Sequence, residues 1–352
     1  YTDHRRHALA TFRTQRCVSL HSTETKHRRL QSALLVVMCI LYNCCWKVKS
    51  YIIAKINRIR KGTKIKMENT NNGVVLPQQI VENNMEAAVG TATMPLGKMI
   101  LLGIFAGMFI AGGAAASSVA MHAVTNVGVS RLLGGCIFPV GLMMIVFIGG
   151  ELFTGDCLMI MGCVHKKFSV LKMIRVLVVV YMTNLLGAVV IAFLVYLSGQ
   201  FGYTGGLLGA FTIKVAMGKV NLSFGTALSS GILCNIFVCA AVLMASAAKD
   251  IAGKVWAIFF PIMAFVVSGY EHCVANMYYI PAGIFAMNNE AYVEKAMSEY
   301  GYTAEQLSSL NWGSFLVKSA IPVTIGNMIG GVVFVGLILY FIHARNIKKT
   351  AA

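Results

Sequence analysis

Charged side chains are scarce in this chain. They make up 12% of 352 residues, too few for the solvated surface of a soluble domain. Acids are scarcer still, 13 Asp and Glu against 30 Lys and Arg. Ten cysteines are present, but none forms a CxxC pair, so thiol-redox and zinc-ribbon motifs are excluded. Cys136, Cys157, Cys163, Cys234, Cys239 and Cys273 lie in or beside apolar stretches and read as small buried hydrophobes. After residue 66 only His122, His165, His272 and His343 occur, at scattered depths. That scatter argues against a membrane enzyme or redox subunit holding haem or metal between helices, and no metal site or cofactor is expected.

What the chain has in abundance is apolar sequence, 57% of its residues. A hydrocarbon core of about 30 Å needs about 20 helical residues. Six stretches are long enough: Leu96 to His122, Leu132 to Gly162, Ile174 to Ser198, Thr226 to Ala247, Val255 to Met287 and Ser314 to Ile342. The expected class is an all-α integral membrane protein in a lipid bilayer, its six-helix domain over 96–343, preceded by a segment at 67–95 and followed by a tail at 344–352.

The net charge of +17 does not signal a nucleic-acid partner, because it is unevenly placed. Residues 1–66 hold 15 of the 30 basic and two of the 13 acidic side chains. The remainder has 15 basic against 11 acidic residues, about +4. The leader's apolar run from Ala33 to Trp46, 14 residues, is short for a span. Its composition fits a targeting segment, a short extra helix, or an upstream extension of a protein whose native start is Met67.

Cytoplasmic loops concentrate Lys and Arg. Lys166, Lys167, Lys172 and Arg175 follow the second stretch, and HARNIKK ends the sixth. The loop after the fifth is acidic, and the loop after the first has only Arg131. Both ends of the membrane domain are therefore expected in the cytoplasm of a cell with this protein in its plasma membrane.

Two stretches are interrupted, the second at GGELFTGD (149–156) and the fifth at SGYEH (268–272). Breaks of this kind leave backbone polar groups unpaired and survive only where protein or an aqueous cavity receives them. Their matched positions predict inverted three-helix repeats with a substrate site between broken second and fifth helices. Gly103 and Gly107 in the first stretch, and Gly326 and Gly330 in the sixth, have the spacing of close helix contacts.

GELFTGD, CNIFVC (234–239), SGYEHCVANMYYIPAG (268–283) and IPVTIGNMIGG (321–331) together resemble the formate/nitrite transporter family, most nearly its formate-channel branch. The resemblance covers roughly residues 95–349. It implies an aquaporin-like protomer assembled as a homopentamer, one pore per protomer, conducting a small monovalent anion, formate before nitrite, hydrosulfide, acetate or lactate. The aquaporins' paired Asn-Pro-Ala signatures are absent. By the same resemblance Leu152, Phe153 and Thr154 form a narrowing loop, and Phe138, Leu142 and Phe265 form apolar constrictions. Likewise His272 is the central histidine beside Glu271, and Lys219 and Lys98 attract anions. Glu151 stands where the family commonly has Asp.

An anion cannot cross an apolar constriction as a bare charge. His272, with an unperturbed pKa of about 6.5, is the residue type that gives or takes a proton near neutral pH, so protons are expected as a second partner. Thr154 is expected to donate to the anion or to His272, and Asn235 and Asn327 to hold the network around Glu271. Without the resemblance, Lys98 and Lys219 read as snorkelling interfacial lysines, and Phe138, Leu142, Leu152 and Phe265 as core residues.

Overall fold

The computed structural model describes residues 75–345; the leader at 1–66 and the end of the tail lie outside the described residues. A helical stripe opens the described chain: α1 (Pro77–Ala92), with Pro at its first turn, buries Val81, Met85, Ala88 and Ala92 along one face. The spans follow as α2 (Leu96–Met121), the broken pair α3 (Val127–Ile148) and α4 (Phe153–Val164), and α5 (Val170–Leu197). The second half repeats the plan: α6 (Tyr203–Val220) leads, then α7 (Phe224–Ala247), the broken pair α8 (Ile251–Ser268) and α9 (Cys273–Ala286). After α10 (Glu290–Tyr300) and the short α11 (Ala304–Ser308), α12 (Trp312–Ala344) closes the fold.

Three spans begin four or five residues before the apolar stretch that announces them. Asn126, Ser169 and Asp250 accept bonds from the backbone N–H groups of Val129, Lys172 and Gly253. These caps draw polar first turns carrying Arg131, Lys172 and Lys254 into the helices. Hydropathy alone passes over such turns.

The connection between the third and fourth spans is α6, not a loop. Small and apolar residues, among them Gly209, Ala210, Ile213 and Ala216, bury its face. The outward segment after the fifth span is likewise helical through α10 and α11.

Within each half the first and third spans touch backbone to backbone. A Cβ on Gly107 would lie 2.1 Å from the carbonyl oxygen of Asn184 on α5, and one on Gly330 would lie 2.3 Å from that of Ile232 on α7. Without glycine at these crossings the helices would stand further apart. Long apolar side chains such as Leu171, Ile342 and Leu101 point outward from the bundle, as a lipid-facing surface requires. Cys136 is exposed, against the expectation of burial, while the five other described cysteines are buried.

Candidate functional site

Both broken helices are built by the same local device. Gly149 (φ +109°) ends α3 and Gly269 (φ +74°) ends α8, conformations that glycine adopts without strain. The chain then runs extended through Leu152 (φ −114°, ψ 121°) and His272 (φ −109°, ψ 118°) before α4 and α9 begin.

The backbone groups freed by each break have matched receivers. Asn327 of α12 donates from Nδ2 to the carbonyls of Gly231 (2.7 Å) and Glu271 (3.0 Å), and its Oδ1 accepts from Cys273 N–H (2.9 Å). Asn184 of α5 does the same in the other half. Its Nδ2 donates to the carbonyls of Gly103 (2.8 Å) and Glu151 (2.9 Å), and its Oδ1 accepts from Phe153 N–H (3.0 Å). Each amide thus ties a break to the neighbouring first span, satisfying groups that would be costly in a dry interior. The correspondence pairs Gly103 with Gly231, Glu151 with Glu271, Leu152 with His272 and Asn184 with Asn327.

The two breaks meet at Thr154 and His272, whose Oγ1 and Nε2 are 3.0 Å apart. Both side chains are buried. His272 Nδ1 accepts the N–H of Ala275 at 3.1 Å, capping α9. A backbone N–H is only a donor, so Nδ1 carries no hydrogen and the neutral ring is protonated on Nε2. Nε2–H therefore donates to Thr154 Oγ1, the reverse of the direction the residue types alone allow as easily. The hydroxyl hydrogen of Thr154 is left for another acceptor. The N-termini of α4 and α9, the positive ends of both dipoles, converge on the same point.

Glu271 is held by Lys219, whose Nζ lies 3.0 Å from each carboxylate oxygen, and by Asn276 Nδ2 at 2.6 Å. Ser230 Oγ accepts the Glu271 backbone N–H at 3.0 Å. Lys219 and Glu271 side chains are only 15% and 8% exposed, so the ion pair is nearly dry and Lys219 also lies 5.1 Å from the ring centre of Tyr279. Asn235 does not reach the Glu271 or His272 side chains; its Nδ2 donates to the carbonyls of Thr154 and Asn327 at 3.2 and 2.7 Å.

Two cavities flank the meeting point. One, about 250 Å³, is lined by Arg131, Phe138, Lys219, Phe265, Glu271 and His272. The other, about 220 Å³, is lined by Asn84, Thr91, Leu142, Leu152 and Asp156 among others. Phe138 meets Phe265 edge to face with ring centres 5.7 Å apart, and Phe265 stacks on His272 at 6.0 Å. Phe153 lines neither cavity; its ring packs edge to face on Tyr181 at 5.0 Å. Lys98 is exposed at the start of α2 and lines neither cavity.

In the sequence Arg131 marks only orientation, yet it reaches the first cavity's lining. Its Nη1 donates to Val267 O at 3.4 Å beside Gly269. Among the described residues it makes no ion pair, whereas Lys219 does. Asn184 and Ser230 also join the site from outside the quoted motifs, and Asn276 from within SGYEHCVANMYYIPAG. For Asn184 the available signal is an amide alone in an apolar span.

The chain matches the family model described as formate/nitrite transporter over residues 78–341. It is 37% identical over 269 residues to a probable formate transporter of Methanothermobacter thermautotrophicus, covering 71% of this chain and 90% of that one. It is 34% identical over 257 residues to the formate channel FocA of Haemophilus influenzae, covering 71% and 89%. Among solved structures it is similar to a pentameric formate channel with formate bound. There the TM-score is 0.63 and the identity 34%, covering 70% of this chain and 97% of that one.

Proposed function

The chain belongs to the formate/nitrite transporter family, and from that premise we propose that it conducts formate, with a proton as its companion, between the two cavities. The observation that carries this reading is the Thr154–His272 bond, 3.0 Å long. It lies between two cavities and behind an aromatic constriction, with the threonine hydroxyl hydrogen unspent. Formate, drawn in by the converging positive ends of α4 and α9, accepts that hydrogen at a carboxylate oxygen.

A proton arriving at His272 must settle on Nδ1 and so breaks the cap to Ala275 N–H. The ring is then a cation beside a bound anion. Nε2 passes its proton to Thr154 Oγ1 while Thr154 passes its own to the carboxylate, leaving a neutral ring and formic acid. The neutral acid crosses the Phe138–Phe265 and Leu142–Leu152 constrictions, which a hydrated ion does not. Lys219 and Glu271 hold the His272 break in place. Arg131 supplies the unpaired positive charge at the first cavity. The protomers assemble as a homopentamer in the plasma membrane, with both ends of the membrane domain in the cytoplasm.

Uptake of formate, nitrite, hydrosulfide, acetate and lactate in one proteoliposome preparation tests the substrate. A faster flux for any anion other than formate refutes the assignment. His272→Phe tests the relay: flux is expected to lose its dependence on pH, and an unchanged profile removes His272 from the mechanism.

A further inference from the structure

The two halves surround matched glutamates with unmatched partners. Lys219 lies twelve residues before Gly231, and Thr91 lies twelve before Gly103. Asn276 and Asp156 each lie five residues after their glutamate. Where Glu271 has Lys219 and Asn276, Glu151 therefore has Thr91 and Asp156. Thr91 Oγ1 donates to Glu151 Oε1 at 3.4 Å, and Asp156 stands at the position from which, in the second half, Asn276 Nδ2 reaches its glutamate at 2.6 Å.

Asn276 brings hydrogens to its glutamate. Two carboxylates bring none, and at these matched positions they can bond to one another only if one oxygen carries a proton. Asp156 Oδ2 and Asn84 Oδ1 are both enclosed without a hydrogen-bond partner, and both residues line the 220 Å³ cavity. Thr91 and Asn84 of α1 line the same cavity as Asp156, Lys98 lies at the start of α2, Cys157 follows Asp156 on α4, and Cys239 of α7 donates to the Thr154 carbonyl at 3.5 Å.

We propose that Glu151 and Asp156 share one resident proton, which does for the first half what the Lys219 ammonium does for the second. The pair then holds one negative charge on the second cavity while the proton is bound, and two when it leaves. Loss of the proton at rising pH repels anions from that mouth, so the site couples pH on that side to anion entry. This consequence for flux rests on the transport reading above; the proton itself does not.

The test is difference infrared spectroscopy of the full-length reconstituted protein, titrated over pH. A protonated-carboxyl C=O band is expected near neutral pH in the wild type and is expected to vanish in Asp156→Asn, where the new amide donates to Glu151 as Asn276 does to Glu271. Glu151→Gln, a second route should the first variant fail to assemble, is expected to lose the same band. No such band in the wild type, or an undiminished one in an assembled variant, overturns the shared proton. A wild-type band lost in the variants with formate flux absent throughout leaves the proton in place and removes the transport reading instead. With flux present, Asp156→Asn is expected to flatten its pH dependence from the second cavity's side.

Discussion

Replacing Lys219 by Met removes the cation from a nearly dry pair and leaves Glu271 with Asn276 as its one side-chain donor. Stranding one partner of a buried pair costs about 3–5 kcal/mol, a drop of several degrees in melting temperature, since about 2–4 °C per kcal/mol holds for 150–250 residues and less for a longer chain. Lys219→Met/Glu271→Gln removes the charge together with its counter-charge and restores hydrogen-bonding capacity toward Asn276. It is expected to regain most of the lost stability, since neutral replacements of buried pairs are often tolerated. Thermal unfolding of the purified protein, with formate uptake measured on the same preparations, separates two roles for the lysine. If Lys219 chiefly neutralises Glu271, the single variant is unstable and slow, and the double recovers in both respects. If Lys219 chiefly attracts anions, both variants are stable and equally slow. A Lys219→Met protein that melts with the wild type refutes the reasoning.

Thr154→Val keeps the shape of the side chain but removes the acceptor of His272 Nε2–H, leaving a buried donor unpaired at about 1–3 kcal/mol. Formate flux is expected to collapse, and Thr154→Ser to retain it in the same liposome assay. Asn184→Leu and Asn327→Leu each strand two backbone groups of a break, and each is expected to cost at least about 2 kcal/mol at about 1–3 kcal/mol per group. Unequal losses in a melting comparison would contradict the equivalence of the two breaks. Arg131→Ala is expected to raise the formate concentration for half-maximal flux without changing the melting temperature. The effect should shrink as salt screens exposed charge, and salt-independent kinetics would remove Arg131 from anion capture.

The breaks are legible because glycine beside ionisable residues, deep inside an apolar run, interrupts a helix where lipid would penalise the interruption. The same contrast brings Thr154, Glu271 and His272 forward. Pairing is harder to read. Lys219 and Glu271 are 52 residues apart, and nothing local tells a lysine bound to a buried carboxylate from one facing an open mouth. The helix α6 stays hidden because its glycines and alanines lower hydropathy, and its glycines lower helix propensity as well, while its close packing rewards the same small residues. Asn184 stays hidden for the opposite reason: one amide in a span is ordinary, and its importance emerges only beside Asn327. Phe153 sits in a motif whose Leu152, Gly155 and Asp156 line a cavity, but its own side chain at the start of a helix points elsewhere, here onto Tyr181.

Leu152 and His272 occupy the same place in two breaks that Asn184 and Asn327 hold by the same three bonds. A symmetrical pore with an imidazole in each half would offer two docking points in series, and a second ion could push the first along. With leucine in one half, the file has a single berth. On the transport proposed above, passage waits for departure rather than being forced by a queue, and traffic is governed by how readily one occupant lets go of Thr154.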